Sequence, residues 1–266
     1  MTSLLLPHAR ALDLSGPLAA FRDDGVARLG KVAAPEVLAT LRARVDQMML
    51  GELSYPGLFF QKDTDSGQYG DLTYGRGWEG PSLNYRKIEK LELDPHFLAW
   101  IENPLFERIA RALIPGGVVL YRAVIFNKAA TGGTELPFHQ DGGQFWGVDR
   151  DPFLQIWTAL DDCPRESGCV EVVPGTHRWG LATAPGGKVP EPIVEKADVE
   201  RRVVAYPAEA GEVLLIHNHV WHRSGRNQTG KARRALTVCF MTADTRCLRK
   251  RRAPRTFFPL FDRRPR

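Results

Sequence analysis

Several things are scarce or missing in this 266-residue sequence, and each absence narrows what the chain can be. There are four cysteines (Cys163, Cys169, Cys239, Cys247) and no C-x-x-C pair, so no disulfide scaffold is expected and the thiols read as reduced and cytosolic. No apolar run is long enough to cross a bilayer. The opening segment MTSLLLPHARALDLSG has only a short apolar stretch with no charged flank before it, so a signal peptide is not expected and the cytoplasm is. No internal repeat or low-complexity linker breaks the chain, and the length suits a single domain. A large charge imbalance is also absent. The net charge is +5, and much of it sits in residues 246–266, where nine arginines and lysines face one aspartate. Such a run is usually a solvated tail or a set of surface pairs. No nucleic-acid-binding fold or aromatic-interleaved motif accompanies it, so nucleic acid is not an expected partner, and neither is a membrane.

What is present is ordinary globular material, 43% hydrophobic and 25% charged. The first 115 residues lean helical. In APEVLATLRARVDQMML (34–50), Pro35 suits a first helical turn, and Val37, Leu38, Leu41, Val45 and Met48 recur at helical spacing. A second helical stretch, 95–114, is interrupted at Pro104. Between them, residues 51–82 are rich in Gly, Tyr and Asp with little periodicity, and a loop that long is more often a functional lid than a connection. Beyond Pro115–Gly117 the pattern changes. Short apolar runs at 118–128, 153–162, 169–175, 201–208, 211–219 and 234–243 alternate with Gly and Pro punctuation and have no helices between them. That is the pattern of a jelly-roll or sandwich, not of a doubly wound parallel sheet. The expected organisation is one α+β domain: helical support and lid over 1–115, a β core over 116–245, and a basic tail over 246–266.

The chemistry concentrates in PFHQDGGQFWG (137–147). Residues i and i+2 of a strand share a face, so His139 and Asp141 can send an imidazole and a carboxylate into one cavity. Two such ligands hold a divalent metal weakly, whereas a second histidine from a facing strand would complete a two-histidine, one-carboxylate facial triad. The candidates are His217, His219 and His222, and spacing alone does not choose among them. Any one of these histidines, taken singly, is more often a hydrogen-bonded structural residue.

In order, the motifs are His139-x-Asp141, then GCVEVVPGTH (168–177), then HRSGRN (222–227) with Arg233 eleven positions after its histidine. This series resembles the phytanoyl-CoA dioxygenase family of Fe(II)- and 2-oxoglutarate-dependent oxygenases over roughly residues 84–243. The resemblance implies a double-stranded β-helix, with His139, Asp141 and His222 as iron ligands and O2 and 2-oxoglutarate as cosubstrates. It assigns Arg233 to the far carboxylate of 2-oxoglutarate, for which a planar guanidinium fork is well suited. Arg234, one step along the strand, should face the other way. Trp157, Ser224 and Lys87 match residues that line or contact the cosubstrate, while Val124 stands where relatives often carry methionine.

The segment 168–180 is expected to frame the cavity mouth, and Cys169 has no partner that would activate it as a nucleophile. With Asp141 present, hydroxylation of an unactivated C–H bond in a small molecule is the expected outcome, with succinate and CO2 released. Related halogenases lack this carboxylate, and desaturation or ring closure would use the same site. Tyr55, Phe59, Phe60, Tyr69, Tyr74 and Trp78 in the lid, with Phe145 and Trp146, favour a fairly apolar or ring-containing substrate. The rival expectations are a cupin-like metal-binding protein without oxygenase activity, and an oxygenase whose basic tail engages a protein or nucleic acid.

Overall fold

The computed structural model describes residues 3–75, 77–130, 132–250 and 255–261. Two of its helices, α4 and α5, begin at side-chain caps, and α1 and α3 begin at a proline in the first turn. Helix α1 is Pro7–Arg10 and α2 is Ser15–Asp24. In α3 (Pro35–Leu50), Val37, Leu38, Leu41, Val45 and Met48 form the buried face, and Gly51 ends the helix at a φ of 79°, a left-handed turn that costs glycine little. Asp94 caps α4 (Pro95–Ile101) by accepting from the backbone N–H groups of His96 and Phe97. Asn103 does the same for α5 (Pro104–Leu113) through Leu105 and Phe106. The interruption at Pro104 is therefore a second capped start, each cap contributing about 1 kcal/mol. A short helix, α6, spans Glu191–Ala197.

The strands before residue 117 are β1 (Val26–Lys31), β2 (Phe59–Lys62) and β3 (Tyr85–Glu89). After it come β4 (Val118–Lys128), β5 (Leu136–Gln140), β6 (Leu154–Ala159), β7 (Val170–Val173) and β8 (Gly187–Lys188). The remainder are β9 (Val204–Tyr206), β10 (Glu212–His217), β11 (Trp221–Ser224), β12 (Arg233–Thr242) and β13 (Phe258–Leu260). The major sheet runs β1-β10-β6-β12-β4-β3-β2, with β13 also paired to β4. The minor sheet runs β8-β5-β11-β7-β9. Every pairing is antiparallel. Two such sheets facing one another make the expected jelly-roll, and the helical first part packs on the outer face of the larger one.

One expectation needs correcting: the first 115 residues are not only helices and a lid. β1, β2 and β3 extend the major sheet at both edges. Their signal is weak for physical reasons. β2 is four residues long inside a Gly- and Tyr-rich stretch, and β3 carries Arg86, Lys87 and Glu89, charges that mask a strand in an apolarity scan.

The two-residue repeat of β12 sorts its side chains. Leu236, Val238 and Phe240 point to the helices and join Trp100, Phe106 and Ile125 in the main core. Ala235 faces the other sheet, in a smaller cluster with Trp157, Val172 and Leu214. Each of the large side chains fully withdrawn from water contributes on the order of 2 kcal/mol. Trp100 is one of these, and its indole N–H donates to the Thr158 hydroxyl at 3.2 Å, tying α4 to β6. The helical layer thereby fixes the outer face, leaving the inner face free to carry polar residues.

Candidate active site

A cavity of about 640 Å3 lies between the sheets, and His139, Asp141 and His222 line it together. His139 on β5 and His222 on β11 are directly paired across the minor sheet, and their rings stand 4.0 Å apart. The His139 Nδ1 is 2.9 Å from the Pro137 carbonyl, and the His222 Nδ1 is 2.9 Å from that of Val220. A carbonyl only accepts, so each Nδ1 must carry a proton, and in the neutral ring that leaves Nε2 with a lone pair. Asp141 follows directly on β5, held by its N–H to the Asn218 carbonyl at 2.7 Å. The turn expected at Ser224 and Gly225 follows His222 without displacing it from the strand.

Behind Asp141 the backbone turns sharply. Gly143 has a φ of 81°, and a Cβ there would sit 2.7 Å from the Pro185 carbonyl, so glycine is required on both counts. The Gly143 N–H donates to Asp151 at 2.8 Å, and His219 pairs with the same carboxylate oxygen at 3.0 Å.

The electrostatics separate the roles of these groups. Burial, then the neighbouring His222, hold the His139 imidazole neutral with a pKa of about 3. Burial would raise the Asp141 carboxyl, but Arg122, the two histidines and Gln155 outweigh it and hold it well below the usual carboxylate range. Arg122 donates to Asp141 Oδ2 at 3.2 Å, and Gln155 Nε2 donates to the same oxygen at 2.6 Å. The His222 Nε2 lies 4.0 Å from that same oxygen. Two imidazoles, at least one of them held neutral, and an ionised carboxylate are a donor set suited to a divalent first-row metal. Among the described residues, no three His, Cys, Asp or Glu side chains form a preformed cage. Asp141 Oδ2 is held by Arg122 and Gln155 beside the two imidazoles.

The other expected residues fall on the same cavity. Arg233, the first residue of β12, is 3% exposed and donates to the Gly168 carbonyl at 2.6 Å. Its Nε has no partner, and among the described residues no carboxylate pairs with it. Arg234 faces away as expected, pairing with Asp161 at 2.8 Å and Asp46 at 2.6 Å. Trp157 and Ser224 are buried in the cavity wall. Lys87 also lines it, with its Nζ 2.6 Å from Glu89. Val124 is fully buried and is not among the lining residues. Burial raises the Cys169 thiol, keeping it protonated, in line with a structural role.

Of the aromatic residues, Tyr69, Tyr74, Phe145 and Trp146 line the cavity. The other four serve the scaffold: Phe60 is in the core, Tyr55 bonds Asp94, Phe59 packs on Tyr74, and Trp78 donates to the Met49 carbonyl. Within the basic tail, Arg246 pairs with Asp149, Arg249 donates to the carbonyl of the cavity residue Phe145, and Arg255 lies over Tyr121, so these arginines are tied to the fold. Residues 251–254 and 262–266 of the tail lie outside the described residues.

Sequence reasoning missed Arg86, Arg122, Lys128 and Gln155, all on the cavity wall. Three left a readable signal. Arg122 and Lys128 are charges inside the otherwise apolar strand VVLYRAVIFNK, and Gln155 shares the face of Trp157 two residues on.

The family model of phytanoyl-CoA dioxygenase (PhyH) matches residues 21–235. Phytanoyl-CoA dioxygenase domain-containing protein 1 of Bos taurus is 31% identical over 163 residues, which cover 57% of this chain and 54% of that protein. The chain thus spans about half the length of the curated relatives of that name. Among solved structures, EctD from S. alaskensis with 2-oxoglutarate and 5-hydroxyectoine matches with a TM-score of 0.70 at 20% identity, over 88% of this chain and 77% of that one. The non-heme alpha ketoglutarate dependent carbocyclase SnoK from nogalamycin biosynthesis matches with a TM-score of 0.68 at 19% identity, over 95% and 98%. At these identities the structural likeness is one of fold. The family match is of another kind, because it runs from α2 into β12 and takes in both walls of the cavity: the chain belongs to the phytanoyl-CoA dioxygenase family.

Proposed function

We propose that the chain is a non-haem Fe(II)- and 2-oxoglutarate-dependent dioxygenase that hydroxylates an unactivated C–H bond of a small molecule, releasing succinate and CO2. The observation that carries this reading is a pairing of two features in one cavity. His139, Asp141 and His222 converge at one wall, and the buried guanidinium of Arg233, which pairs with no carboxylate among the described residues, stands at another. A protein that only bound metal would have no use for that cation.

In this reading His139, Asp141 and His222 hold the iron, which when bound supplies activation of O2 and oxidative decarboxylation of 2-oxoglutarate. The protein residues orient and shield. Arg233 receives the far carboxylate of 2-oxoglutarate, with the Ser224 hydroxyl beside it and Trp157 walling the cosubstrate from the core. Lys87 reaches the cosubstrate only if it leaves Glu89. Gln155 and Arg122 hold Asp141 Oδ2 and so would orient the carboxylate as a ligand. Tyr69 and Tyr74 of the expected lid stand over the cavity, and the whole chain acts as one catalytic unit. A cytoplasmic site of action suits four free cysteines. Among the described residues no helix is long and apolar enough to cross a membrane.

The test is succinate release that depends on both iron and 2-oxoglutarate, with product mass recorded. A gain of one oxygen identifies hydroxylation, and a loss of two hydrogens identifies desaturation or ring closure. Calorimetric titration of 2-oxoglutarate into the metal-loaded protein should give binding that Arg233→Ala abolishes. Binding indifferent to that substitution would refute the cosubstrate assignment.

A further inference from the structure

Six cations line the cavity: Arg86, Lys87, Arg122, Lys128, Arg223 and Arg233. Most are already accounted for. Arg122 bonds Asp141. Lys87 pairs with Glu89. Arg223 is held by Glu171 at 2.7 Å and Glu200 at 2.6 Å. Lys128 gives its Nζ to the Thr134 carbonyl at 2.5 Å, and burial, with Arg233 and Arg86 nearby, pushes its pKa well down. Arg233 is matched by the far carboxylate of the cosubstrate. That leaves Arg86.

Arg86 lies on β3, and β12, β4 and β3 are successive strands, which separates it from Arg233 by two inter-strand steps, roughly 10 Å of backbone. Its Nη1 donates to the Gln61 side-chain carbonyl at 2.9 Å, and its guanidinium stands 5.9 Å from the Phe126 ring centre. Among the described residues no carboxylate forms an ion pair with it. Gln61 is tied in turn to the Thr73 carbonyl at 2.7 Å, and Thr73 belongs to the loop that carries Tyr69 and Tyr74 over the cavity. Arg86 therefore sits on the lid side. Burial depresses its pKa, whereas Arg44, Arg122, Arg223 and Arg234, each beside a carboxylate, are pushed up. Asp63 and Glu89 attract the half-buried Arg86 guanidinium from beyond ion-pair distance, and among the described residues no carboxylate touches it, so its fork is left to be met by a ligand in the cavity.

We infer that the substrate carries a carboxylate, received by Arg86, with an apolar or aromatic body lying against Tyr69, Tyr74, Phe126 and Trp146. This inference rests on the oxygenase reading and deepens it by naming a substrate class. A single free guanidinium matches a monoanion. A phosphate dianion would call on Lys87 as well, which Glu89 already neutralises.

The test uses a matched pair of probes, 3-phenylpropionate and 3-phenylpropionamide, titrated into protein loaded with Mn(II) and saturating 2-oxoglutarate, so that Arg233 is already occupied. Fluorescence of Trp146 and Trp157, both in the cavity wall, reports binding. The carboxylate should bind at millimolar concentration or better and about tenfold tighter than the amide, and Arg86→Gln should erase that preference. The affinity for 2-oxoglutarate, measured separately on the same variant, should be unchanged. Equal binding of the two probes, no saturable binding of the carboxylate, or a preference that survives Arg86→Gln would each overturn the inference. So would phenyl phosphate binding more tightly than 3-phenylpropionate. A loss of 2-oxoglutarate affinity in Arg86→Gln would move Arg86 to the cosubstrate and overturn it as well. Failure of the underlying oxygenase reading is distinct, since the unsubstituted protein would then not bind 2-oxoglutarate at all.

Discussion

The chain holds two histidine clusters within a few residues of each other, and they behave differently. His139 and His222 lie across a strand pair with their rings 4.0 Å apart. On the other side of the turn that joins β10 to β11, His217 lies 4.8 Å from His177 and 5.5 Å from His219. By residue type the second cluster looks the richer, since Asp151 bonds His219. Its geometry is that of a structural cluster. His217 stacks among Phe21 and Phe153 and its Nδ1 accepts the His219 N–H at 3.0 Å. None of these three histidines lines the cavity. In the first cluster the backbone takes each Nδ1 proton, turning both rings toward one point. All three Nδ1 atoms engage backbone, but those of His139 and His222 face carbonyls and must donate, whereas that of His217 accepts an N–H, and this direction separates a candidate ligand from a packed aromatic ring.

Substitutions can sharpen that contrast. The largest effect is expected for Asp141→Ala or His222→Ala, which should lower succinate formation on the order of a thousandfold or more, as when a member of a cooperating set is removed. Circular dichroism and melting should stay near the parent, whereas His217→Ala should retain turnover and lower the melting temperature. A fully active Asp141→Ala would remove the distinction between the clusters. Next comes Gln155→Leu, which leaves Asp141 with Arg122 alone. Metal affinity, followed by titration, should weaken about 10- to 100-fold, the range for a group that orients a ligand. Unchanged affinity would mean Arg122 suffices.

The smallest effect is a matter of pH. Burial, with His177 and His219, holds His217 at a pKa of about 3, below its ordinary value. Between pH 6.5 and about 3 the unfolded chain binds a proton at this residue that the folded chain refuses. Stability therefore falls as pH drops, by up to about 1.4 kcal/mol per unit. His217→Asn keeps an acceptor for the His219 N–H and should flatten that slope in denaturant titrations. A slope identical to that of the parent would assign the acid sensitivity elsewhere.

The sequence carried more of the fold than of the wall chemistry. Helices α3 to α5 are legible because Pro35, Asp94, Asn103 and Pro104 mark their starts, and the core strands because their apolar runs are long. β2 and β3 are not, because pairing across the sheet stabilises segments too short or too charged to signal themselves. At the site, His139 and Asp141 follow from the strand's repeat of two. His217, His219 and His222 are indistinguishable by spacing, since the choice depends on a turn between β10 and β11 that carries two of them to the far side. Arg86 lay hidden for a similar reason: next to Lys87 and Glu89, its charge resembles any solvated edge, and that no carboxylate among the described residues pairs with it directly is visible only in three dimensions.

Arg234 touches no part of the cavity, yet it bears on how the chain tolerates change. A slip of β12 by one residue would carry Arg234 inward and Arg233 outward. Arg234's bonds to Asp161 and Asp46 oppose that slip by clamping the strand to its neighbour and to α3. Upstream, Gln228 to Ala232 are exposed, and beyond the bond from the Gln228 N–H to the Glu166 carbonyl their ties are local: the Thr229 N–H and hydroxyl donate to the Asn227 side chain, which itself donates to the Lys231 carbonyl. A change in this turn therefore disturbs its own bonds with Asn227, while the clamp still delivers Arg233 to the same place.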